Sequence, residues 1–156
     1  MTTWTHDALA ADLLDARHLA GEIACERLML GAGYSRNGQA DVAAMRLSWT
    51  RPLTTVYEVK VTRQDLLADL REEKWRRYLA VASRVVFAFP RGLAQAEELP
   101  HAVGVIVRGA RQWRTLRHVP AIRPEHGLAF VTALLFRHYP APWQGAARIA
   151  RLARPA

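Results

Sequence analysis

A carboxylate and a lysine near the middle of the sequence have the types and spacing of a metal-dependent site. Glu58, Val59 and Lys60 end a β-branched stretch that predicts a strand, and strand alternation places Glu58 and Lys60 on one face, about 7 Å apart. Val56 shares that face, and the other face is also apolar, as in a central strand covered on both sides. Ionised groups on such a strand are costly to bury unless they pair or bind a ligand.

Asp41 is the predicted third member of this group. Residues 49–52 predict a turn, and a turn centred between Trp49 and Thr50 pairs Asp41 with Glu58 across an antiparallel hairpin. Their β-carbons would then be roughly 5 Å apart. Two carboxylates at that separation repel each other. A hard divalent cation relieves this repulsion, with substrate phosphate oxygens and water completing its coordination.

Lys60 beside this pair would orient or help deprotonate a water molecule and stabilise the charge that builds on a phosphoryl group. The same side chains would also be satisfied as a buried salt network without chemistry. Spacing alone leaves both interpretations open.

The elements that would hold these residues alternate between helices and strands. Thr5 caps a predicted helix over 5–18, and periodicity leaves the segment 23–30 as either helix or strand. Thr62 begins a predicted helix that runs to residue 81. The other predicted elements are strands over 41–48, 54–61, 85–89, 103–107 and 113–119 and a helix over 124–138. The order predicts an α/β or α+β fold, a mixed sheet flanked by helices.

Composition narrows the class of protein. The chain has 156 residues, 51% of them hydrophobic, which predicts a globular domain with a real core. The longest apolar stretch, 128–136, is under half of the roughly 20 residues that a membrane span needs, and the N-terminus lacks a secretory pattern, so we expect a cytoplasmic protein. Cys25, the single cysteine, is expected in the core, as are Trp49, Trp75 and Trp113.

Charge is distributed unevenly. The chain carries 22 basic and 14 acidic residues, a formal net charge of +8, and all of this excess lies in residues 99–156. A sign asymmetry of this kind favours a phosphate-bearing partner, although codon composition would also explain an arginine excess. We divide the chain into a domain over 1–138 and a basic, Pro/Arg-rich tail over 139–156.

The residues around the candidate site resemble the PD-(D/E)XK nuclease superfamily. Asp41 followed by Glu58-Val59-Lys60 and a helix fits that superfamily's core of helix, three-stranded meander, helix and strand. The run over 57–69 and the segments that follow it, to residue 90, resemble the MmcB-like DNA-repair and phage-associated branch. In that branch an E-(V/I)-K strand leads into an (S/T)-R-x-D helix and a K-W-x-x-Y-L segment. Residue 40 is alanine where the superfamily's name expects proline.

This resemblance implies a restriction-endonuclease-like core with a catalytic site at Asp41, Glu58 and Lys60. Asp41 and Glu58 would bind Mg²⁺ or Mn²⁺, with the Val59 carbonyl and Glu26 as further metal ligands. Because Glu26 matches an acidic position on a strand, the resemblance also favours the strand interpretation of the segment around it.

Several other residues become candidate contacts to nucleic acid. The resemblance places Arg63 and Asp65 at the mouth of the site and matches Lys74 and Tyr78 to the K-W-x-x-Y segment. Arg36, in the loop before the Asp41 strand, is a further candidate. Arg63 and Asp65 would equally serve as a local cap and pair, and Lys74 and Tyr78 as a solvated helix face.

We therefore expect a Mg²⁺- or Mn²⁺-dependent deoxyribonuclease that hydrolyses DNA phosphodiester bonds in repair or phage-related DNA processing. Its DNA contacts would be to the backbone and independent of sequence, and a repair protein is a further expected partner. The alternative is a nucleic-acid-binding module that has the nuclease fold but lacks turnover or needs a partner to cut. An RNA-directed or toxin-like nuclease also fits the sequence.

Overall fold

The computed structural model describes residues 3–30 and 38–138. Its helices are α1 (His6–Leu19), α2 (Arg63–Glu72) and α3 (Gly127–His138), with short 3₁₀ helices at Lys74–Ala80 and Ala96–Glu98. Its strands are β1 (Ile23–Met29), β2 (Gln39–Arg46), β3 (Leu53–Val59), β4 (Arg84–Pro90), β5 (Gly104–Arg108) and β6 (Trp113–Arg117). This order agrees with the predicted one, and the segment 23–30 is a strand rather than a helix.

The six strands form one mixed sheet in chain order. Strands β1, β2 and β3 form an antiparallel meander, β3, β4 and β5 run parallel, and β6 returns antiparallel to β5. The connection from β3 to the parallel strand β4 contains α2, as a parallel crossover usually requires. The predicted α/β fold class is therefore confirmed.

Apolar cores cover both faces of the sheet. Helix α1 packs Leu9 and Leu13 against one face, where Val42, Tyr57 and Val59 are buried. On the opposite face α2, the 3₁₀ helix Lys74–Ala80 and α3 cover a larger core. That core includes Val56, Leu66, Trp75, Tyr78, Phe87, Phe130 and Leu134. Strand β3 is thus a central strand buried on both sides, as its sequence predicts.

The register of the β2–β3 hairpin confirms the turn argument. Val42 pairs with Tyr57 and Ala43 pairs with Val56. Continuing this register by one residue places Asp41 opposite Glu58. The turn residue Trp49, however, is fully exposed, so its expected place in the core is wrong, whereas Cys25 is buried as expected.

The predicted single helix over 62–81 is interrupted. Thr62 caps α2 as expected, but the helix ends at Glu72, and Glu73 adopts a left-handed conformation with φ 49°. The chain then continues as a 3₁₀ helix, whose three-residue turn brings both Trp75 and Tyr78 into the core. Within the described residues, no helix has both the length and the apolar composition that crossing a membrane requires.

Candidate active site

Glu58 and Lys60 lie where the central strand β3 ends. Glu58 is paired with Phe87 of β4, and its side chain is only 9% exposed. The Lys60 N–H donates to the Ala88 carbonyl at 3.0 Å, which extends the parallel pairing one residue beyond the strand. Both residues therefore stand on a fixed backbone at the carboxyl end of parallel strands, where open α/β sheets commonly bind ligands.

A third charged residue, which sequence reasoning missed, completes this buried group. Lys60 Nζ lies 3.2 Å from Glu58 Oε2 and 2.7 Å from Asp69 Oδ2, and all three side chains are less than 15% exposed. Asp69 comes from α2, three residues after the buried Leu66, so it lies on the buried stripe of that helix. A carboxylate on the apolar stripe of a predicted helix is the sequence signal that could have identified Asp69 as a site residue.

Asp41 bridges β3 and α1. Its Oδ2 atom accepts a hydrogen bond from the Val59 N–H at 2.8 Å, and its Oδ1 atom lies 3.3 Å from His6 Nε2. Since the pairing of β2 with β3 ends at Val42 and Tyr57, the Asp41 carboxylate replaces a backbone acceptor where the two strands separate. At 22% exposure, this side chain is the most accessible carboxylate of the group. We call Asp41, Glu58, Lys60 and Asp69 the Glu58 cluster.

His6 was not predicted at this site. The sequence carries no histidine pair with metal-ligand spacing, and His6 reaches Asp41 only because α1 packs across the sheet. No local pattern in the sequence signals such a contact.

The two other predicted metal ligands are the Val59 carbonyl and Glu26, and the structure supports them to different degrees. Backbone N–H and C=O of one strand residue point to the same edge, so the Val59 carbonyl is directed toward the gap beside Asp41. Glu26 lies on β1 opposite Val42, and Arg27 after it has a φ of 50°. In the part of the chain that the structure describes, no hydrogen bond or ion pair joins Glu26 to the Glu58 cluster, so its role as a ligand stays a prediction.

Burial shapes the protonation of the cluster. Burial, and then the nearby Asp41 charge, raise the pKa of Glu58 from 4.5 to about 7. Burial opposes the charge on Lys60, but the Glu58 and Asp69 carboxylates outweigh it, so the net effect is a raised pKa for Lys60. Lys60 is therefore a cation at neutral pH, whereas Glu58 keeps its proton to a higher pH than an exposed glutamate does.

Two buried carboxylate oxygens in the cluster, Glu58 Oε1 and Asp69 Oδ1, have no hydrogen-bond partner within residues 3–30 and 38–138. The Tyr78 hydroxyl faces Glu58 but donates to the Gln39 carbonyl at 3.0 Å. A buried oxygen left in this way costs free energy that a cation would recover. Three carboxylates surround one ammonium, so the cluster would gain from further positive charge.

The donor set fits a hard cation of the Mg²⁺ type. Among residues 3–30 and 38–138 no group of three or more His, Cys, Asp and Glu side chains is arranged to hold a metal ion. Mg²⁺ uses only one or two carboxylates and takes its other ligands from carbonyl groups, water and substrate phosphates. Asp41 and Glu58 with the Val59 carbonyl match that requirement.

Two of the predicted nucleic-acid contacts have local structural partners instead. The Arg63 guanidinium pairs with Glu98 and donates to the Leu93 carbonyl at 3.1 Å. Asp65 accepts a hydrogen bond from the Thr62 hydroxyl at 2.7 Å, and its own N–H donates back to that hydroxyl. These contacts match the local alternative of a cap and a pair.

The remaining predicted contacts to nucleic acid differ in their exposure to solvent. Lys74 is on the surface and pairs with Glu72 at 2.7 Å. Tyr78 does not share a solvated face with it: the 3₁₀ helix turns the two apart, and Tyr78 is 2% exposed. The alternative of a solvated helix face is therefore wrong for Tyr78, and its role as a nucleic-acid contact stays a prediction. Arg36 and the basic tail over 139–156 lie outside the described residues.

A basic groove that was not predicted lies at the same end of the sheet. A cavity of about 760 Å³ is lined by Arg91, which follows β4, and by Arg111 and Arg114 around the β5–β6 turn. All three arginines are exposed, and no carboxylate within the described ranges pairs with any of them. The arginine excess after residue 98 was the sequence signal for Arg111 and Arg114.

Comparison with known proteins identifies the fold only. No family model matches this chain, and no curated protein matches it. Among solved structures, the chain is similar to the SPO1766 protein of unknown function from Silicibacter pomeroyi, with a TM-score of 0.59 and 20% sequence identity. The match covers 90% of this chain and 95% of that chain, so the two share a fold over nearly their whole length.

Proposed function

We propose that this protein is a divalent-metal-dependent nuclease that hydrolyses DNA phosphodiester bonds at the Glu58 cluster. The observation that carries the proposal is the buried Glu58 carboxylate, with one oxygen free of partners, beside Lys60 and in register with Asp41. A structural salt network would be expected to satisfy both carboxylate oxygens, whereas a site for a cation leaves an oxygen for it.

The order of elements supports the same proposal. Helix α1, the antiparallel meander β1–β3, helix α2 and strand β4 follow one another as the resemblance to the PD-(D/E)XK superfamily expects. A role in DNA repair or phage-related DNA processing rests on that resemblance in the run over 57–69.

The chemistry assigned to each residue follows from its protonation state. A divalent cation held by Asp41, Glu58 and the Val59 carbonyl would supply Lewis-acid activation of the phosphodiester. Lys60 is protonated, so it orients the attacking water and stabilises charge on the phosphoryl group rather than acting as a free base. Asp69 holds the Lys60 ammonium in place at 2.7 Å.

The basic groove gives the substrate a path. Arg91, Arg111 and Arg114 lie at the sheet end that carries Glu58 and Lys60 and have no paired carboxylate in the described residues. Guanidinium groups in that state bind backbone phosphates without reading base sequence. DNA would therefore run along the groove toward the cluster, which is the sequence-independent binding that a general nuclease needs.

Cleavage assays with matched variants test the proposal. Glu58→Gln and Asp41→Asn should each lower Mn²⁺-dependent cleavage of labelled DNA about 100-fold or more, because each removes one of the two metal-binding carboxylates. Glu125→Gln, a change of the same kind at an exposed position, should leave cleavage unchanged. Cleavage that persists in both site variants, or that EDTA fails to stop, refutes the proposal.

A binding module without turnover is the second candidate, and the contacts of Asp41 favour it. One oxygen of Asp41 accepts from Val59 and the other faces His6, so the carboxylate is already engaged. Calorimetric titration with Mn²⁺, with and without a short DNA duplex, separates the two candidates. Metal binding that disappears in Glu58→Gln supports the nuclease, and DNA affinity without any metal binding supports the module.

A further inference from the structure

A second polar cavity lies at the other end of the sheet, on the face covered by α1. It has a volume of about 180 Å³ and is lined by the beginnings of β3, β4 and β5. Its charged lining includes Arg17 near the end of α1, Glu22 before β1, and Arg84 at the start of β4. Arg46, at the end of β2, adds a further cation. We call this cavity the Arg84 pocket.

Three buried polar atoms of this pocket have no hydrogen-bond partner among the residues that the structure describes. They are Arg17 Nε, Arg84 Nε and Glu22 Oε2. Buried donors and acceptors are nearly always satisfied in folded proteins, since leaving one unpaired costs about 1–3 kcal/mol. Three such atoms around one cavity leave hydrogen-bonding positions that a bound molecule would fill.

The hydrogen bonds already formed in the Arg84 pocket show which side chains could still bind a ligand. Arg17 Nη1 donates to the Tyr57 hydroxyl at 3.3 Å, and Glu22 Oε1 pairs with Arg46 Nη2 at 3.2 Å. Arg117 contributes to the lining, but its guanidinium is engaged by backbone carbonyls, including those of Val103 and Pro100. In the described residues, Arg84 has no hydrogen bond or ion pair from its side chain.

We propose that the Arg84 pocket binds a phosphate monoester, with Arg17 and Arg84 donating to the phosphate oxygens. The two arginines approach from different elements, and a tetrahedral oxyanion accepts hydrogen bonds from directions that are not confined to one plane, as those of a carboxylate largely are. The unpartnered Glu22 oxygen requires a donor, so the ligand also carries a hydroxyl or amino group. A nucleoside monophosphate and a 5′-phosphorylated DNA end both have this chemistry.

This site is independent of the proposed nuclease activity. Glu58 faces the core under α2 at the carboxyl end of β3, whereas the Arg84 pocket opens at the amino end under α1. Binding can therefore be measured in EDTA, without turnover, and its failure would say nothing about cleavage.

Calorimetry with a charge-matched pair of variants tests the inference. The titrants are deoxyadenosine 5′-monophosphate, deoxyadenosine, and a tetranucleotide with or without a 5′-phosphate. Arg84→Gln should weaken binding of the monophosphate about tenfold or more, whereas Arg123→Gln, the same change at an exposed arginine, should not. Binding of the mononucleotide alone assigns the pocket to free nucleotides, and binding of the phosphorylated tetranucleotide as well assigns it to DNA ends.

Equal loss in Arg84→Gln and Arg123→Gln, or equal binding of ligands with and without the phosphate, overturns the inference. A second measurement needs no variant that might misfold. In the unmodified protein, the side-chain Nε–H signals of Arg17 and Arg84 in a ¹H–¹⁵N spectrum should shift on addition of the monophosphate. Signals of both arginines that stay in place at saturating monophosphate would also overturn it.

Discussion

The two ends of the sheet bury charge of opposite sign. At the carboxyl end of β3, the Glu58 cluster places three carboxylates around one ammonium. At the amino end, four arginines line the Arg84 pocket with Glu22: Arg17 and Arg84 are partly buried, Arg46 is exposed, and the guanidinium of Arg117 is held by backbone carbonyls. Elsewhere in the described residues, the buried side chains are hydrophobic except for the hydrogen-bonded pair Thr54 and Ser83.

Unsatisfied atoms mark both ends. The buried side-chain atoms without hydrogen-bond partners in the described residues are Arg17 Nε, Glu22 Oε2, Glu58 Oε1, Asp69 Oδ1, Trp75 Nε1 and Arg84 Nε. All but Trp75 Nε1 belong to the cluster or to the pocket. Because such atoms are rare in folded proteins, their concentration at two sites is the observation on which both proposals rest. On these proposals the carboxyl end would bind a cation and the amino end an anion.

Removing the ammonium of the cluster should have the largest effect. Lys60→Met leaves Glu58 and Asp69 buried without their cation, and breaking a buried ion pair in this way costs about 3–5 kcal/mol. Urea unfolding in EDTA at pH 8 should show that loss, and a smaller one at pH 5.5, where Glu58, whose pKa is raised, takes up a proton.

Lys74→Met is the matched control, since Lys74 is the chain's other lysine and its pair with Glu72 is exposed. We expect a change of under about 0.5 kcal/mol from it. Equal losses in the two variants would show that the cluster does not depend on Lys60, and the contrast between the two ends would lose its basis.

The raised pKa of Glu58 predicts a pH dependence of stability. Between pH 4.5 and about 7 the folded state keeps a proton on Glu58 that the unfolded state has released. The free energy of unfolding in EDTA should therefore fall with rising pH across this window, by about 3 kcal/mol from this group, and level off above it. Glu58→Gln removes the titrating group, so its unfolding curve should lack this decline.

Adding Mg²⁺ to the unfolding measurements gives a further test of the Glu58 assignment. A cation requires ionised Glu58, so added Mg²⁺ should stabilise the protein more at pH 8 than at pH 6. Parallel pH profiles for the unmodified protein and Glu58→Gln would contradict the assignment of a perturbed carboxylate to this site.

Local patterns in the sequence predicted strand register, but they did not predict contacts that tertiary packing makes between distant elements. The position of Asp41 opposite Glu58 could be predicted, because a turn sets the register of the hairpin that it closes. Asp69 and His6 join the site from α2 and α1, and no local spacing connects them to β3. The break at Glu73 was equally hidden, because a left-handed glutamate has no signal in a helical pattern.

The Arg84 pocket shows the same limit more strongly. Arg17 and Arg84 are about half of the domain apart in sequence and line one cavity only because α1 lies over the amino ends of β3 and β4. Charge counting placed the arginine excess after residue 98, yet both of these arginines precede it. Composition therefore indicated a phosphate-bearing partner without locating the residues that line the pocket.

The smallest expected effect comes from Glu22, the carboxylate of the Arg84 pocket. Glu22 is 8% exposed in its side chain, and one of its oxygens has no partner, so its negative charge opposes an anion in the same cavity. Glu22→Gln keeps an oxygen for Arg46 but removes the charge. Calorimetry at low salt should then show inorganic phosphate binding about fivefold more tightly, with the gain shrinking as salt screens the charges. The exposed Glu125→Gln changes the net charge equally, so a similar gain there would assign the effect to the overall field of the protein instead of the pocket.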